Sequence, residues 1–344
     1  MINNLAVLNI EDLPFLKKNL KRIDRAIVAS LPPKNFSNIS KAIHYSVLNG
    51  GKRIRPQLVL LMAEALKVDV NPKTIDLMAA SGELIHSYSL IHDDLPSMDD
   101  DDYRRGKLSC HKKFDEATAI LAGDAIQPLA LEILTTIKDK KLKPEQKLKI
   151  INLFAKACGP RGMVEGQSRD LAAEGKKVKI EDLDEIHYLK TGKLIEACVE
   201  SICILKDGLS KKDMKSFLMF ARKFGLAFQI KDDIFDYGSS ENIGKPTGID
   251  IKERKLTLPL IYTLNKVDKS TKRMIINTIK KNKQNPKKVQ EIIQLVINQG
   301  GIAYAEKKMH EFKDLALKEL NDIPSSEAKD SFIGLINYSI NRIN

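Results

Sequence analysis

Aspartate residues are concentrated in two short segments of this 344-residue chain. In the first, Asp93 and Asp94 end an apolar stretch, and four more aspartates follow at positions 99–102. In the second, Asp232 and Asp236 are four residues apart, so a helix would place both carboxylates on one face. Carboxylates held this close repel each other unless a cation lies between them, and their hard oxygen atoms favour Mg²⁺ shared with a substrate phosphate. Either segment alone could equally form an exposed acidic surface.

Basic residues lie beside glycines in two other segments. Residues 50–56 read Gly-Gly-Lys-Arg-Ile-Arg-Pro, and residues 104–106, directly after the first acidic segment, read Arg-Arg-Gly. Guanidinium groups bind phosphate oxygens in pairs and a lysine ammonium adds a point charge, so each segment is a candidate diphosphate clamp. Each could instead be a solvated surface. Two acidic and two basic segments on one chain together predict a site that holds a metal-bridged diphosphate.

The overall composition argues against several other classes of protein. Apolar residues make up 43% of the chain and charged residues 30%, which is typical of a globular protein. There is no uninterrupted apolar run of about 18 residues and no secretory signal pattern, so we expect a cytoplasmic protein without stable membrane insertion. The net charge of +12 comes from lysines that are not interleaved with aromatic residues, so we expect no nucleic-acid partner. The four cysteines lack metal-ligand spacing and are expected to be reduced thiols.

The elements that must position these segments are helices. Apolar residues recur at helical spacing in residues 77–92, 117–136 and 213–237, and no stretch alternates convincingly with the period of a strand. Glycine, proline and polar runs break the pattern near residues 50–51, 96, 140–144, 174–179, 239–247 and 282–286. None of these breaks has the length or composition of a domain linker. We therefore predict an all-α fold in which residues 1–344 form a single domain of about ten helices around a central cavity.

Taken together, these motifs resemble the trans-polyprenyl diphosphate synthases, and most closely the bacterial farnesyl diphosphate synthases. The matching segments follow the family's order and spacing from about residue 40 to the C-terminus. They are residues 50–56, residues 89–106 (beginning Ser-Leu-Ile-His-Asp-Asp-Leu-Pro), residues 121–125 (Leu-Ala-Gly-Asp-Ala), residues 190–192 (Lys-Thr-Gly) and residues 228–236 (Phe-Gln-Ile-Lys-Asp-Asp-Ile-Phe-Asp). The resemblance implies the helical bundle of the isoprenoid synthases, and it implies a homodimer.

The resemblance also implies roles for individual residues. Three Mg²⁺ ions, which Mn²⁺ could replace, would hold the diphosphate of an allylic substrate on Asp93, Asp94, Asp99, Asp232 and Asp236. Arg104, Lys190 and Lys245 would contact the same diphosphate. Isopentenyl diphosphate would be held by Gly51, Lys52, Arg55, His86 and Arg105, although a histidine in an apolar helix is more often a core residue. Thr191 and Gln229 would face the reacting carbon and act in catalysis together with Lys190 and Arg104.

The implied reaction needs no protein nucleophile. Cleavage of the allylic carbon–oxygen bond would give an allylic cation, the double bond of isopentenyl diphosphate would attack it, and the departed diphosphate would take up a proton. In this family the residues just before the first aspartate motif limit product length, and here these are Tyr88 and Ser89. Tyr88 would lie about 7.5 Å below Asp93 along a helix. We therefore expect a C15 product, (2E,6E)-farnesyl diphosphate, unless the ring only packs in the core.

Several alternatives stay open. Residues 244–259 and 300–305 look more like the octaprenyl-type branch, so the chain could be a mosaic with a junction near residues 225–240. A geranylgeranyl or longer product is therefore an alternative. A terpene cyclase or a synthase that joins two allylic substrates would not need the clamp at residues 50–56. A non-catalytic helical subunit that binds Mg²⁺ and diphosphate should show damaged acidic motifs, whereas both motifs are intact.

Overall fold

The structure is a computed structural model that describes residues 14–176, 178–238, 248–252, 254–280, 285–323 and 325–342. The helices in the first half are α1 (Pro14–Ser30), α2 (Asn38–Val47), α3 (Ile54–Ala65), α4 (Pro72–Asp93), α5 (Cys110–Lys113), α6 (Glu116–Thr135), α7 (Pro144–Cys158) and α8 (Met163–Ala173). The second half contains α9 (Ile180–His187), a π-helical turn (Tyr188–Gly192), α10 (Lys193–Leu205), α11 (Lys211–Phe235), α12 (Ile249–Lys252), α13 (Leu258–Lys266), α14 (Lys269–Ile279), α15 (Pro286–Asn298), α16 (Gly301–Lys318) and α17 (Glu327–Asn341). The prediction of an all-α fold is confirmed.

Helix α4 lies in the centre of the fold because apolar and small residues cover most of its circumference. Asn71 caps the first turn by accepting the Lys73 N–H at 2.9 Å, and Pro72 suits the first helical position. Most side chains between Thr74 and Ile91 are buried, and the helix packs against α1, α3 and α6. A helix that is packed on most sides has a fixed rotation and height, so the aspartates at its C-terminal end are held in place.

Helix α11 is the second long central helix. Ser210 caps its first turn, and the helix then packs against α10 and α16. Its side chains enter both apolar clusters of the described residues, with Phe224 in one cluster and Ile230 in the other. Helix α11 therefore connects the two parts of the core, and it carries the second aspartate motif at its C-terminal end as α4 carries the first.

A two-stranded hairpin follows the first aspartate motif. Strands β1 (Tyr103–Arg104) and β2 (Lys107–Leu108) pair antiparallel, and Arg105 and Gly106 between them have φ values of +53° and +76°. Two positive φ angles at the turn match the right-handed twist of a hairpin. The sequence analysis did not predict this hairpin, because strands of two residues are too short to show alternation.

The three long helices predicted from spacing correspond to α4, α6 and α11, and their ends agree within one or two residues except that α4 begins five residues before the predicted start. The structure contains more helical segments than the expected ten or so. Short helices such as α5 and α12 are single turns without a readable period, and the π turn divides the continuous path from 180 to 205. The predicted loop at 239–247 lies outside the described residues, as does most of the loop at 282–286.

One described helix, α6, is long and apolar enough to cross a membrane by length and composition alone. It is not an uninterrupted apolar run, because it contains Asp124 and Glu132. The helix packs against α2 and α4, and 39% of its most apolar window is buried within the protein. A core helix passes the same test, so this single candidate is weak evidence for a membrane segment.

Candidate active site

The C-terminal ends of α4 and α11 face one cavity of about 790 Å³. Eight of the residues singled out from the sequence line it: Asp93, Asp99, Arg104, Arg105, Lys190, Gln229, Asp232 and Asp236. The first four lie between the end of α4 and the turn of the hairpin that follows it, and the last three lie at the C-terminal end of α11 and its cap. The structure therefore brings the two aspartate motifs together, although about 140 residues of sequence separate them.

The carboxylates of the first motif are partly buried and pair with basic side chains. Arg104 donates from Nε to Asp94 Oδ1 at 2.8 Å and from Nη2 to Asp101 Oδ2 at 2.9 Å. Lys255 forms an ion pair with Asp99 at 2.9 Å. Burial raises the pKa of Asp94 to about 6, against the opposing effect of Arg104, and burial also raises the pKa of Asp93. The raised values show that negative charge at this site is costly and would be relieved by a cation.

The carboxylates of the second motif occupy three different environments. Asp232 pairs with the guanidinium of Arg342, which also lies 4.3 Å from the centre of the Phe228 ring. Asp233 is buried and accepts the Leu258 N–H at 2.8 Å, and burial raises its pKa well above the usual range. Asp236 Oδ1 accepts the Asp250 N–H at 3.2 Å. Asp233 therefore fixes the start of α13 to α11, and all three aspartates line the cavity.

The segment Lys190-Thr191-Gly192 forms most of the π-helical turn, a type of distortion that recurs at functional sites. Glycines allow its neighbours to approach closely, since a Cβ on Gly166 of α8 would overlap the backbone nitrogen of Lys190. On the other side, a Cβ on Gly225 of α11 would lie 2.8 Å from the Cα of Gly192. The turn is thus held between α8 and α11 by backbone contact.

This packing places two predicted catalytic side chains against their partners. Thr191 Oγ1 donates to Gln229 Oε1 at 2.7 Å, and Lys190 Nζ donates to Asp170 at 2.7 Å. Burial acts to lower the pKa of Lys190, but the carboxylates of Asp170 and Asp93 raise it. Lys190 is therefore a cation in the cavity wall, and Thr191 and Gln229 form a fixed pair of dipoles.

The basic segment at residues 50–56 packs against the hairpin turn. Gly51 has φ +119°, and its missing side chain leaves room for the guanidinium of Arg105, which donates to the Gly50 carbonyl. Arg55 is 7% exposed, and its Nε finds no hydrogen-bond partner among the described residues. A buried guanidinium with an unused donor is costly unless an anion binds there.

His86 and Lys52 extend this basic surface. Burial and the charges of Arg55 and Arg105 lower the pKa of His86 well below its usual value, so the imidazole is neutral at neutral pH. The Lys52 ammonium lies 5.8 Å from the centre of the Tyr338 ring. The 790 Å³ cavity is not lined by Gly51, Lys52, Arg55 or His86. Arg105 does line the cavity, and it contacts Gly51 in the basic segment. The basic surface is therefore continuous with the cavity.

Among the cavity residues that were not identified from the sequence, three contact acidic or basic groups of the site. Asp170 pairs with Lys190, Lys255 pairs with Asp99, and His187 lies 3.7 Å from Asp233. A pattern in residues 166–170, a glycine followed four residues later by an acid on one helix, could have suggested Asp170. His187 and Lys255 gave no such signal, because only the tertiary fold brings them to the aspartates.

The two residues expected to limit product length lie below the first motif. Tyr88 is 3% exposed, and its hydroxyl donates to the Cys158 carbonyl at 3.0 Å, which joins α4 to the end of α7. Ser89 donates to the His86 carbonyl at 2.9 Å. Neither residue lines the cavity described above, so the role of Tyr88 in product length stays a prediction. Lys245, expected at the allylic diphosphate, lies outside the described residues.

The described carboxylates do not form a closed metal cage, since no group of three or more His, Cys, Asp or Glu side chains among them converges tightly enough. The donor set nevertheless fits Mg²⁺, which keeps several waters and is usually bound by one or two carboxylates plus substrate phosphates. Carboxylates from two opposed helix ends, with raised pKa values at Asp93 and Asp94, offer such ligands.

Cavity size alone does not identify this site. A wider groove of about 920 Å³ lies between α7, α10 and the start of α11, and it contains none of the residues that the sequence singled out. Its lining mixes surface lysines and acids that already pair, such as Lys143 with Asp207 at 2.8 Å. We therefore assign the candidate active site from the converging charges and not from volume.

Known proteins resemble this chain over most of its length. The chain matches the polyprenyl synthetase family over residues 36–296. It is 42% identical to the farnesyl diphosphate synthase of Geobacillus stearothermophilus over 262 residues, which cover 76% of this chain and 86% of that protein. It is 39% identical to geranylgeranyl pyrophosphate synthase 12 of Arabidopsis thaliana over 256 residues, covering 73% of this chain and 70% of the relative. The crystal structure of geranylgeranyl pyrophosphate synthetase from Pyrococcus horikoshii superposes with a TM-score of 0.86 at 33% identity, covering 96% of this chain and 98% of that one. With two opposed aspartate motifs, a basic clamp beside them and these relatives, the chain belongs to the polyprenyl synthetase family.

Proposed function

We propose that this prenyltransferase condenses isopentenyl diphosphate with dimethylallyl or geranyl diphosphate to give (2E,6E)-farnesyl diphosphate. One observation carries the proposal: two separate clusters of charged side chains adjoin one cavity. The opposed aspartates suit a metal-bound diphosphate, and the buried Arg55 with its unused donor suits a second, metal-free diphosphate. An enzyme that acts on one diphosphate would have no use for the second site.

In this proposal the basic clamp holds isopentenyl diphosphate. Arg55 and Arg105 provide guanidinium groups, Lys52 provides an ammonium group, and Gly51 leaves room for Arg105. His86 is neutral, so it can donate one N–H without adding a charge that the neighbouring arginines would repel. The clamp thus fixes the diphosphate end of isopentenyl diphosphate and leaves its homoallylic double bond pointing toward the cavity.

The allylic diphosphate is assigned to the aspartate side. Mg²⁺, or Mn²⁺ in its place, would be held by Asp93, Asp94, Asp99, Asp232 and Asp236. When bound, the metal neutralises the negative charge of the leaving group. Arg104 and Lys190 line the cavity and would contact the diphosphate oxygens, together with Lys245. For Arg104 this requires that its guanidinium exchange some of its present bonds to Asp94 and Asp101 for phosphate oxygens.

Thr191 and Gln229 are proposed to face the reacting carbon. Because Thr191 donates to the amide oxygen of Gln229, the remaining lone pairs of the threonine hydroxyl and the amide can point toward positive charge. The π turn and the glycine contacts around it hold both dipoles in place before the substrate binds. Preorganised dipoles stabilise a developing cation without a cost of reorganisation in the transition state.

The C15 product rests on Tyr88 and on relatives named farnesyl diphosphate synthases at about 40% identity. A C20 product is the second candidate, since proteins named geranylgeranyl pyrophosphate synthases also match over most of the chain. Tyr88 is a buried ring below Asp93 and would close the end of a hydrocarbon pocket. Its fixed hydroxyl bond to Cys158 keeps the ring in place.

The remaining proposals concern the whole chain. We propose one domain over residues 1–344, supported by α11, which joins both apolar clusters, and we leave the mosaic junction near residues 225–240 as a hypothesis. A homodimer is supported by apolar side chains exposed on adjoining helices, including Ile120 and Leu121 on α6 and Leu148 on α7. A reducing, cytoplasmic location suits the four cysteines, which are all free and buried.

Release of inorganic pyrophosphate tests the two-substrate proposal. The protein is incubated with Mg²⁺ and geranyl diphosphate alone, isopentenyl diphosphate alone, or both together. We expect pyrophosphate release only when both substrates are present, and none after chelation of the metal. Release from geranyl diphosphate alone would indicate a cyclase or a phosphatase, and no release in any mixture would favour a non-catalytic subunit.

A further inference from the structure

Arg53 lies in the middle of the basic clamp but points away from the ligand side. Its backbone is left-handed, with φ +50° and ψ +38°, a conformation that is strained for a residue with a Cβ. Gly50 and Gly51 before it also have positive φ values. This backbone path turns the side chain of Arg53 inward, and the residue is only 4% exposed.

All three nitrogens of the Arg53 guanidinium donate a hydrogen bond, each to a different helix. Nε donates to Asp24 of α1 at 3.1 Å, Nη1 donates to Glu83 of α4 at 2.8 Å, and Nη2 donates to the Val47 carbonyl at the end of α2 at 3.0 Å. Arg55, two residues later, has an unused Nε donor instead. Arg53 is therefore suited to hold the segment and not to bind a diphosphate.

Glu83 connects this anchor to the two substrate sites. It is 2% exposed and lies on α4, three residues before His86 and ten residues before Asp93. Residues three apart lie on the same face of a helix, so Glu83 and His86 face the clamp together. Its carboxylate also acts electrostatically on Arg55 and Arg105. The helix that carries the first aspartate motif thus also carries the anchor for the clamp.

We infer that Arg53 and Glu83 are a positioning pair that sets the place of Lys52 and Arg55 relative to His86. The inference rests on the proposed function, because it assigns the pair to the isopentenyl diphosphate site. The bonds from Arg53 to α1, α2 and α4 compensate for its strained backbone and fix the turn between Gly51 and α3. Without them the turn can relax, and the two clamp cations move away from His86. The allylic site, which is built from the ends of α4 and α11, does not depend on these bonds.

The test measures binding of each substrate separately in the Arg53→Lys variant. Lysine keeps the positive charge but cannot reach three acceptors in fixed directions. We expect the dissociation constant for isopentenyl diphosphate, measured by calorimetry, to rise about tenfold, as for loss of a charged hydrogen bond. The dissociation constant for geranyl diphosphate with Mg²⁺ should stay within about twofold, as expected for an independent site.

Arg22→Lys is the matched control, because Arg22 also links α1 to α4. It donates to Asp76 at 2.5 Å and to the Pro72 carbonyl, both at the N-terminal end of α4, away from the aspartate motif. Isopentenyl diphosphate binding should not change in this variant. Asp24→Ala is a milder test of the Arg53 anchor, because it removes one of the three acceptors of Arg53, and because Asp24 is half-exposed its loss should be tolerated by the fold. We expect it to weaken isopentenyl diphosphate binding by about two- to threefold, with no effect on geranyl diphosphate.

The outcomes separate this inference from the proposed function. If the wild-type protein does not bind isopentenyl diphosphate at all, the proposed function fails. If the wild type binds it and Arg53→Lys binds it equally well, or binds both substrates equally poorly, the positioning role is wrong. A folded variant that has lost only isopentenyl diphosphate affinity supports the inference.

Discussion

Several acidic groups at or beside the cavity have a basic partner in the protein. Arg104 contacts Asp94, Lys255 contacts Asp99, Arg342 contacts Asp232, and Lys190 contacts Asp170. These pairs stabilise charges that burial would otherwise make costly. Binding of a metal–diphosphate complex would satisfy the acids with the metal and the bases with phosphate oxygens. The site is therefore complementary to a ligand that carries both signs of charge.

Removal of single carboxylates should abolish turnover without unfolding the protein. For Asp93→Asn and for Asp232→Asn we expect kcat to fall by roughly a hundredfold or more, since each loses charge stabilisation of the leaving group. The neutral amide keeps the shape of the side chain. Steady-state kinetics at saturating Mg²⁺, together with circular dichroism, measures the effect.

The control for these variants is Asp100→Asn. Asp100 belongs to the same acidic segment but is exposed, and its φ of +53° is a conformation that asparagine also tolerates. Its kcat should match that of the wild type. Full activity in Asp93→Asn would contradict the assignment of the first motif as metal ligands.

His187 should make the stability of the protein depend on pH. Burial lowers its pKa to about 4 from an unfolded value of 6.5, and Asp170 opposes this shift. The unfolded chain therefore binds the proton more readily, so this stability is present above pH 6.5 and is lost as the pH falls toward 4. At pH 5 the loss is about 2 kcal/mol, a figure that assumes full burial in the folded state.

Urea unfolding of wild type and His187→Gln at pH 7 and pH 5 measures this contribution. We expect the variant to lose less stability than the wild type over this range, by about 2 kcal/mol, because glutamine does not titrate. Parallel losses in the two proteins would show that the pKa of His187 is the same in the folded and the unfolded chain, and would contradict the effect of burial.

Tyr88 should control the length of the product. Tyr88→Ala removes the ring that is proposed to close the hydrocarbon pocket, so products longer than C15 should form. Tyr88→Phe is the matched control, because it removes only the hydroxyl that donates to Cys158 and keeps the ring. Its main product should stay at C15. Chromatography of the dephosphorylated products distinguishes the lengths, and an unchanged C15 product from Tyr88→Ala would show that the ring only packs in the core.

Residues that form contiguous motifs could be predicted from the sequence, whereas their partners could not. Asp93 and Asp94 stand out because like charges are adjacent in sequence. Lys255 meets Asp99 only through tertiary folding, and Arg342 meets Asp232 from the far end of the chain. Arg53 lies in the basic segment that was interpreted as a diphosphate clamp but was not among the residues expected to hold isopentenyl diphosphate, and its backbone angle and three partners indicate an anchoring role.

At the level of elements, close backbone contact positions the π-helical turn at residues 188–192. Gly166 of α8 lies against Lys190, and Gly225 of α11 lies against Gly192. These contacts need glycine because any side chain would push the π turn away from one of the helices. The geometry of Lys190 and Thr191 is therefore a property of two helices packed on a turn, and not of the turn alone.

Gly166→Ala should move this turn. The added methyl group would overlap the backbone nitrogen of Lys190, which cannot shift as a flexible side chain can. We expect the free energy of unfolding to fall by about 1–3 kcal/mol and kcat to fall by about tenfold or more. Denaturant unfolding and steady-state kinetics measure the two effects on the same sample.

Gly208→Ala is the control for the loss of stability alone. Gly208 has φ +75° with open space around it, and it lies in a loop away from the cavity. Alanine there should cost about 1 kcal/mol of stability with no change in kcat. Equal kcat losses in both variants would mean that stability, and not the position of the turn, explains the effect of Gly166→Ala.

Long helices could be predicted from the sequence and short elements could not. Helices α4, α6 and α11 contain five or more turns, so apolar spacing and caps fix them locally. The hairpin at 103–108 and the π turn at 188–192 are set by what packs against them, and neither contains enough residues for a periodic pattern. The hairpin and the π turn carry Arg104, Arg105, Lys190 and Thr191. The fold class could therefore be predicted from the sequence, whereas the detailed geometry of the site could not.

At the scale of the whole molecule, the bundle brings two helix ends to one cavity and a third segment to its edge. Helix α4 contributes to both substrate sites, because it carries Glu83 and His86 beside the basic clamp and Asp93 at the first aspartate motif. The two diphosphates can therefore be held at a fixed separation by one rigid helix. Such an arrangement favours transfer between two bound substrates over reaction of either one with water.

Product analysis tests the central claim most directly. The wild-type protein is incubated with Mg²⁺, labelled isopentenyl diphosphate and either dimethylallyl or geranyl diphosphate, and the products are dephosphorylated and separated by chain length. We predict that both primers give (2E,6E)-farnesol as the main alcohol, and that chelation of Mg²⁺ abolishes its formation. A main product of C20 or longer would contradict the proposed chain length, and the absence of any condensation product would contradict the proposed function itself.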